Sequence, residues 1–504
     1  MPERGDGKDA SGPGGGGAGF TPREAKSKEM LHTRAKIVCT LGPASRDLAT
    51  LRRMIEAGMN VARLNFSHGT HEEHAQTLRT LRQAARETGR LLGIMLDLQG
   101  PKVRVGRFPQ GEVTLEPGQR FTITGRAIEG SAGAVGTTYE QLARDVRPGD
   151  RILLDDGLLA LTVQAVEELD VLCEVVVGGV LKNNKGINIP GAALSVATIT
   201  EKDYQDVDFG IGQEVDFIAM SFVRQASDIL EMREHLERRK APQQIVSKIE
   251  KPQALDDIEH IIAVSDGIMV ARGDLGVEMA AEDVPMLQKR LIAQCSAAGK
   301  PVITATQMLE SMVNNPRPTR AEASDVANAI LDGSDAVMLS AESASGRYPV
   351  ESVEVMRRII QATEASLTYA DPSRRRRRSA GPMAVHEGVA ITACTLSELV
   401  DARAIASITL TGSMSRMIAK HRPTKSIFAI SQFEQVLRQL AFTWGVEGII
   451  MLDLTSNVDD ALLDVERRLC ELQHLAKGDR LVMTAGLPFS ERKATNMVRV
   501  DEVA

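Results

Sequence analysis

Three charged residues in the stretch VSKIEKPQALDDIEHIIAVSDGIMVARGDLG (246–276) stand where chemistry is possible: Lys248, Glu250 and Asp274. The apolar run Gln244–Ile249 reads as a strand that stops at Lys248 and Glu250, and Gly267–Ala271 as a second that stops at Arg272, Gly273 and Asp274, with a helical segment between. Strand side chains alternate, so Lys248 and Glu250 share one face while Ile249 points away. If the two strands are parallel neighbours, Glu250 and Asp274 converge at one sheet edge. Two carboxylates beside a lysine could hold a hard divalent cation and an anionic substrate. Taken alone, the K-x-E pair reads first as a salt bridge at a rim.

The surrounding chain decides whether the pair is alone. A unit of one short apolar strand followed by one helical segment recurs, with strands at Lys36–Thr40, Val61–Asn65, Gly93–Leu96, Phe217–Met220, the two above, Pro301–Thr304 and Ala336–Leu339. Helices are expected at Asp47–Gly58, His71–Gly89, Ser227–Arg239, Pro252–Val264, Val284–Gly299 and Thr319–Asp332, several closing on Gly as a C-cap does. Eight such units predict an α/β fold built on a (β/α)₈ TIM barrel, whose active site lies at the C-terminal strand ends. Polar residues gather at those ends and hardly anywhere else in the strands: Arg63, Asn65, Ser67, Asp97, Ser221, Lys248, Glu250, Asp274, Thr306 and Glu342.

The barrel is expected to occupy 31–101 and 198–370. Between its parts, residues 102–197 alternate apolar and polar residues and carry turn signals (PGQ, RPGD, DDG, VGG), which predicts a small β-domain able to hinge as a lid. Residues 1–30, with SGPGGGG, read as a disordered tail. The run Arg374–Arg378 reads as a solvated linker or an anion site, and 371–504 as a second, open and largely parallel α/β sheet domain. There the loop Thr411-Gly412-Ser413-Met414-Ser415 meets a helix start, which suits a bound phosphate or a plain N-cap.

Composition narrows the class. A net charge of −7 argues against non-specific nucleic-acid binding. Five widely spaced cysteines without C-x-x-C propose neither a disulfide framework nor a zinc cage. No apolar run approaches transmembrane length, and Gly and Pro stand where a signal peptide needs an apolar core, so a cytoplasmic protein is expected.

Taken together, the strand ends resemble the pyruvate kinase family: KIVCTLGPAS (36–45), RLNFSHG (63–69), LDLQGPKVRVG (96–106), KGINIPG (185–191), SKIEKP (247–252), MVARGDLGVE (269–278), ITATQMLESM (303–312), PTRAEASDVANAILDGSDAVMLSAESA (318–344) and GDRLVMTAG (478–486). The resemblance covers nearly everything after residue 33. It implies Mg²⁺-dependent phosphoryl transfer from phosphoenolpyruvate to ADP, giving pyruvate and ATP, with Mn²⁺ able to substitute for Mg²⁺. It further implies a homotetramer and an effector domain at the C-terminus, answering to AMP or a sugar phosphate. A Mg²⁺-dependent 2-oxo acid aldolase or lyase could use the same barrel and carboxylates, although it needs no ADP site.

Position by position, the resemblance implies that Glu250 and Asp274 bind Mg²⁺, that Lys248 neutralises the transferring phosphoryl and the enolate oxygen, and that Arg63 holds the phosphate. Ala271, Arg272, Gly273 and Asp274 would form the substrate carboxylate pocket, with Thr306 near the enolate carbon, where a water relay is the better acid. Asn65, His68, Arg104 and Lys185 fall at nucleotide positions, and 411–415 at the effector loop. Many family members hold K⁺ near positions matching Asn65, Ser67, Asp97 and Leu98, with Glu where this chain has Lys102. A lysine ammonium is itself a monovalent cation, so K⁺ is expected to be dispensable here.

Overall fold

The computed structural model describes residues 33–192, 195–366, 383–451, 457–488 and 494–504. The expected N-terminal tail and the Arg374–Arg378 run lie outside the described residues.

Eight parallel strands close into a barrel: β1 (Lys36–Thr40), β2 (Val61–Asn65), β3 (Gly93–Asp97), β4 (Phe217–Met220), β5 (Gln244–Ile249), β6 (Gly267–Ala271), β7 (Val302–Ala305) and β8 (Ala336–Leu339). They are apolar along both faces because helices cover the outside and side chains fill the inside, so Phe217–Met220 is buried at every position. The helices start where side-chain oxygens cap free N–H groups: Asp47 for Leu48–Ala57, and Thr70 with Glu73, and Thr319 with Glu322, as reciprocal capping boxes. Gly299 ends Val284–Ala298 at φ 69°, a left-handed turn that suits a residue without Cβ. The segment Pro252–Val264 is not one helix: Pro252–Leu255 forms a 3₁₀ turn and Ile258–Val264 a separate helix.

Between β3 and β4 the chain leaves the barrel and builds two antiparallel-rich sheets. The larger runs in the order Ile187–Asn188, Arg151–Leu154, Leu159–Glu167, Asp170–Val177, Arg120–Thr124 and Ala134–Gly136, and the smaller pairs Gly179–Lys182 with Glu112–Leu115. Phe121, Ile123, Leu154, Leu161 and Val175 give this region its own core.

The C-terminal sheet runs Val446–Ile450, Ser426–Ser431, Ala404–Ile408, Arg480–Ala485 and Met497–Glu502, parallel except for the last strand. The helix that starts at Glu434 ends at Arg438. The apolar residues beyond it serve a different contact: Phe442 enters the base of the barrel among Val38, Met95, Phe217, Val246 and Met269, and Trp444 lies beneath the Arg34 and Arg422 guanidiniums at 5.4 and 4.8 Å. Arg422 also donates to Asp335, and Arg438 to Asp216, so charged side chains ring the same junction.

Candidate active site

The register of the barrel brings the expected residues together. Asn65 stands opposite Asp97 on β2 and β3, and Lys248 opposite Met269 on β5 and β6, so the charged strand ends surround one mouth. Glu250 and Asp274 follow two parallel neighbours, as the alternation argument requires.

Lys248 is the hub. Its Nζ donates to Ser221 Oγ at 2.7 Å and to Asp97 Oδ1 at 3.1 Å, and pairs with Glu250 Oε1 at 2.7 Å. Burial alone would lower its pKa, but the Asp97 and Glu250 carboxylates hold the ammonium above the ordinary lysine range. Arg63 donates from Nε to Asp97 Oδ2 at 2.6 Å and from Nη1 to Thr40 Oγ1 at 2.8 Å. Asp97 therefore meets a cation on each oxygen, and Arg63 with Lys248 overcomes burial to hold it below the usual carboxylate range. Ser221 donates onward to the Leu98 carbonyl at 2.6 Å.

Glu250 is different. Its Oε2 accepts the Phe222 N–H at 3.0 Å, yet burial, followed by the Asp274 charge acting against Lys248, pushes its pKa up. Lys248 alone therefore does not offset burial and the second carboxylate at this mouth, which leaves a place for a further cation. This donor set fits a hard divalent cation: two oxygen ligands, one exposed, leave room for water and substrate oxygens, as Mg²⁺ prefers. Among the described residues no group of three or more His, Cys, Asp or Glu side chains is gathered for a metal.

Asp274 and Gly273 open the short helix Arg272–Glu278. The Gly273 N–H donates to Thr306 Oγ1 at 2.8 Å, and Thr306 donates its own proton to the Ala305 carbonyl at 2.6 Å. Thr306 and Gln307 sit at φ 69° and 53°, a left-handed pair that costs backbone energy. Arg272 is held by Asp325 at 2.7 Å and by the Thr306 carbonyl at 2.7 Å.

The inserted region contributes from above. Arg104 donates to the Asn184 carbonyl at 3.0 Å, Lys185 pairs with Asp155 at 2.8 Å, and Lys102 lines a cavity of about 100 Å³ with Asp156, Lys251 and Asp274. His68 is exposed on the loop after β2, and partial burial together with Arg104, Lys102 and Arg63 lowers its pKa. Asn65 Oδ1 accepts the Ser67 N–H at 3.1 Å and shapes that loop. The 411–415 loop belongs to the other sheet and stands apart from this mouth. Gly412, at φ 76°, precedes helix Ser413–Lys420.

Comparison with known proteins resolves what such a site belongs to. The family described as "Pyruvate kinase, barrel domain" matches residues 32–353, and "Pyruvate kinase, alpha/beta domain" matches 387–501. The chain belongs to the pyruvate kinase family. A pyruvate kinase of Geobacillus stearothermophilus is 47% identical over 94% of this chain and 81% of its own length. One of Sporosarcina psychrophila is 46% identical over 93% and 80%. A solved pyruvate kinase from Cryptosporidium parvum superposes with a TM-score of 0.88 at 35% identity, covering 94% of this chain and 96% of that one. As a pyruvate kinase family phosphotransferase, the chain moves the phosphoryl group of phosphoenolpyruvate to ADP.

Sequence reasoning missed Thr40, Asp155, Asn188 and Lys251, which contact the expected site residues or line the same cavity, and Glu278, which holds Lys251 and Asn188. Lys251 and Glu278 were within reach, since they stand in the quoted SKIEKP and RGDLGVE segments. Their pairing across 27 positions leaves no local pattern.

Proposed function

We propose that the transfer runs on Arg63, Lys248 and Thr306, with Glu250 and Asp274 as the Mg²⁺ pair, Mn²⁺ serving in its place. The observation that carries this reading is the buried Lys248 ammonium, held charged between Asp97 and Glu250 at the strand ends. Phosphoryl transfer asks for charge stabilisation and positioning, not covalent chemistry. Lys248 neutralises the phosphoryl and the oxygen that gains charge as the bond breaks, and Arg63 holds the phosphate. Ala271, Arg272, Gly273 and Asp274 form the start of the helix against which the substrate carboxylate lies. Glu250 and Asp274 would hold the metal ion, which would supply positive charge to offset the charge of the phosphoryl group. Thr306 orients the proton donor without serving as the acid, because its own proton is engaged by the Ala305 carbonyl.

Asn65, His68, Arg104 and Lys185 contact the nucleotide, and Lys185 must exchange Asp155 for phosphate when ADP enters. The inserted region, 102–197, closes over the mouth as a lid, with 31–101 and 198–370 as the barrel and 371–504 as the effector domain. At the position of Asn65, Ser67, Asp97 and Leu98, Lys102 replaces K⁺. Its charge reaches His68, on the loop that carries Asn65 and Ser67, which supports this assignment. The loop Thr411, Gly412, Ser413, Met414, Ser415 binds the phosphate of AMP or a sugar phosphate. Arg416 supports that reading: its Nη2 donates to the Thr411 carbonyl at 3.0 Å while its Nη1 is buried without a hydrogen-bond partner. A homotetramer fits the apolar groove of Leu331, Val355, Ile359 and Ala362 on the barrel's outer helices. A cytoplasmic setting fits the observation that no helix of the described residues is long and apolar enough to cross a membrane.

Pyruvate formation from phosphoenolpyruvate, ADP and Mg²⁺, with and without K⁺ at fixed ionic strength, tests both levels. Rapid turnover in both conditions is expected; turnover with K⁺ alone would remove the role of Lys102, and none at all, even with AMP and sugar phosphates, would overturn the reading.

A further inference from the structure

The helix Arg272–Glu278 starts at the metal pair and ends on a carboxylate whose surroundings the reaction does not explain. Glu278 is buried, 5% exposed. Its Oε1 pairs with Lys251 and accepts from Asn188 Nδ2 at 2.9 Å, while its Oε2 is buried without a hydrogen-bond partner. The three residues come from three parts of the fold: Lys251 directly follows Glu250 beyond β5, Asn188 belongs to the inserted sheet, and Glu278 closes the helix that carries Asp274. Leaving one oxygen of a buried carboxylate unpaired is costly, so the group has a task beyond stability.

Lys251, Asn188 and Asp274 line one cavity. Lys251 also lies with its ammonium 5.4 Å from the Phe222 ring centre. A lysine stem is flexible, and the carboxylates that line that cavity with Lys251 are Asp156, on the inserted region, and Asp274, on the helix that Glu278 closes; both are exposed. Paired with Asp274, Lys251 would place a positive charge where a cation must bind.

We propose that Glu278 is a positioning residue for the divalent-cation site: it holds Lys251 away from Asp274 and, through Asn188, ties that hold to the seating of the inserted domain on the barrel. The inference rests on the reading of Glu250 and Asp274 as the metal pair.

The test is Mn²⁺ binding to the full chain without substrates, read from the loss of the free-ion EPR signal, with kcat and KM measured alongside. Glu278→Gln keeps the shape and removes the charge. It is expected to raise the Mn²⁺ dissociation constant on the order of tenfold. Glu278→Gln with Lys251→Met should return it to within about threefold of the unmodified chain, and Lys251→Met alone should bind Mn²⁺ at least as tightly. A purely structural role would lower the thermal midpoint and kcat in the single and double variants alike, without rescue. An unchanged Mn²⁺ constant in Glu278→Gln, or no rescue by Lys251→Met, overturns the proposal. If Glu278→Gln does not fold, Lys251→Met alone decides, since weaker Mn²⁺ binding there also overturns it. Asp274→Asn separates the two levels: loss of binding there with none in Glu278→Gln refutes this proposal alone, and unchanged binding in Asp274→Asn refutes the metal pair itself.

Discussion

Replacing Phe442 by Ala tests whether the barrel depends on the C-terminal region for its core. Phe442 is 1% exposed and meets Phe217 edge-on, with ring centres 4.8 Å apart and planes at 73°. A Cβ on Gly267 would lie 2.9 Å from the Phe442 ring, so this strand residue must be small to admit it. Truncating a buried Phe costs about 3–5 kcal/mol, more when the walls cannot collapse. Here the walls are strands fixed by hydrogen bonds on both sides, which places the cost near the upper end, about 4–5 kcal/mol. At roughly 2–4 °C per kcal/mol for a cooperative unit of roughly 150–250 residues, the melting midpoint should fall on the order of 10 °C. Phe442→Leu, which keeps much of the volume, should fall by less than half of that. Differential scanning calorimetry with the unmodified chain as reference gives both numbers. A fall of under about 2 °C for Phe442→Ala would refute the reasoning, because the barrel base would then be intact without its plug.

Three further outcomes follow from the same contacts. Lys185→Met should raise the KM for ADP about tenfold while leaving that for phosphoenolpyruvate nearly unchanged, since Lys185 faces Asp155 in the inserted region and not the β5 end; the opposite split would contradict its assignment. Lys102→Glu should make turnover depend on K⁺, and K⁺-independent turnover in that variant would remove Lys102 from the cation position. Asp216 sits at the barrel base with its pKa pushed up to about 6, mainly by burial, against the opposing pull of Arg438. Its folded pKa exceeds the unfolded value, so the folded state binds more protons between about pH 4 and 6 and this group's contribution to stability falls as pH rises through that window, by about 3 kcal/mol at most. Asp216→Asn should flatten that part of the urea-midpoint profile, and an unchanged slope would contradict the assignment.

Much of the barrel was legible because parallel strands buried on both faces leave short apolar runs, and because the residues closing those runs are charged. The K-x-E alternation placed Lys248 and Glu250 on one face, and the structure joins them at 2.7 Å. What local pattern hid was long-range. Phe442 and Trp444 have apolar spacing that extends the Glu434 helix on paper, yet their burial comes from the barrel base and from Arg34 and Arg422. Pro252–Val264 reads as one helix because Leu255, Ile258, Ile261 and Ile262 repeat at helical spacing across a break. Asp155 opposite Lys185, and Glu278 opposite Lys251, are ion pairs made by folding, and neither partner marks the other in sequence.

Lys248, held charged among Asp97, Glu250 and Ser221, is proposed to stabilise the charge that moves in the reaction. Lys248→Met, folded as judged by circular dichroism, should lower kcat for pyruvate formation by about a thousandfold or more, with a far smaller change in the KM for ADP. A variant that keeps kcat within about tenfold of the unmodified chain would contradict the account.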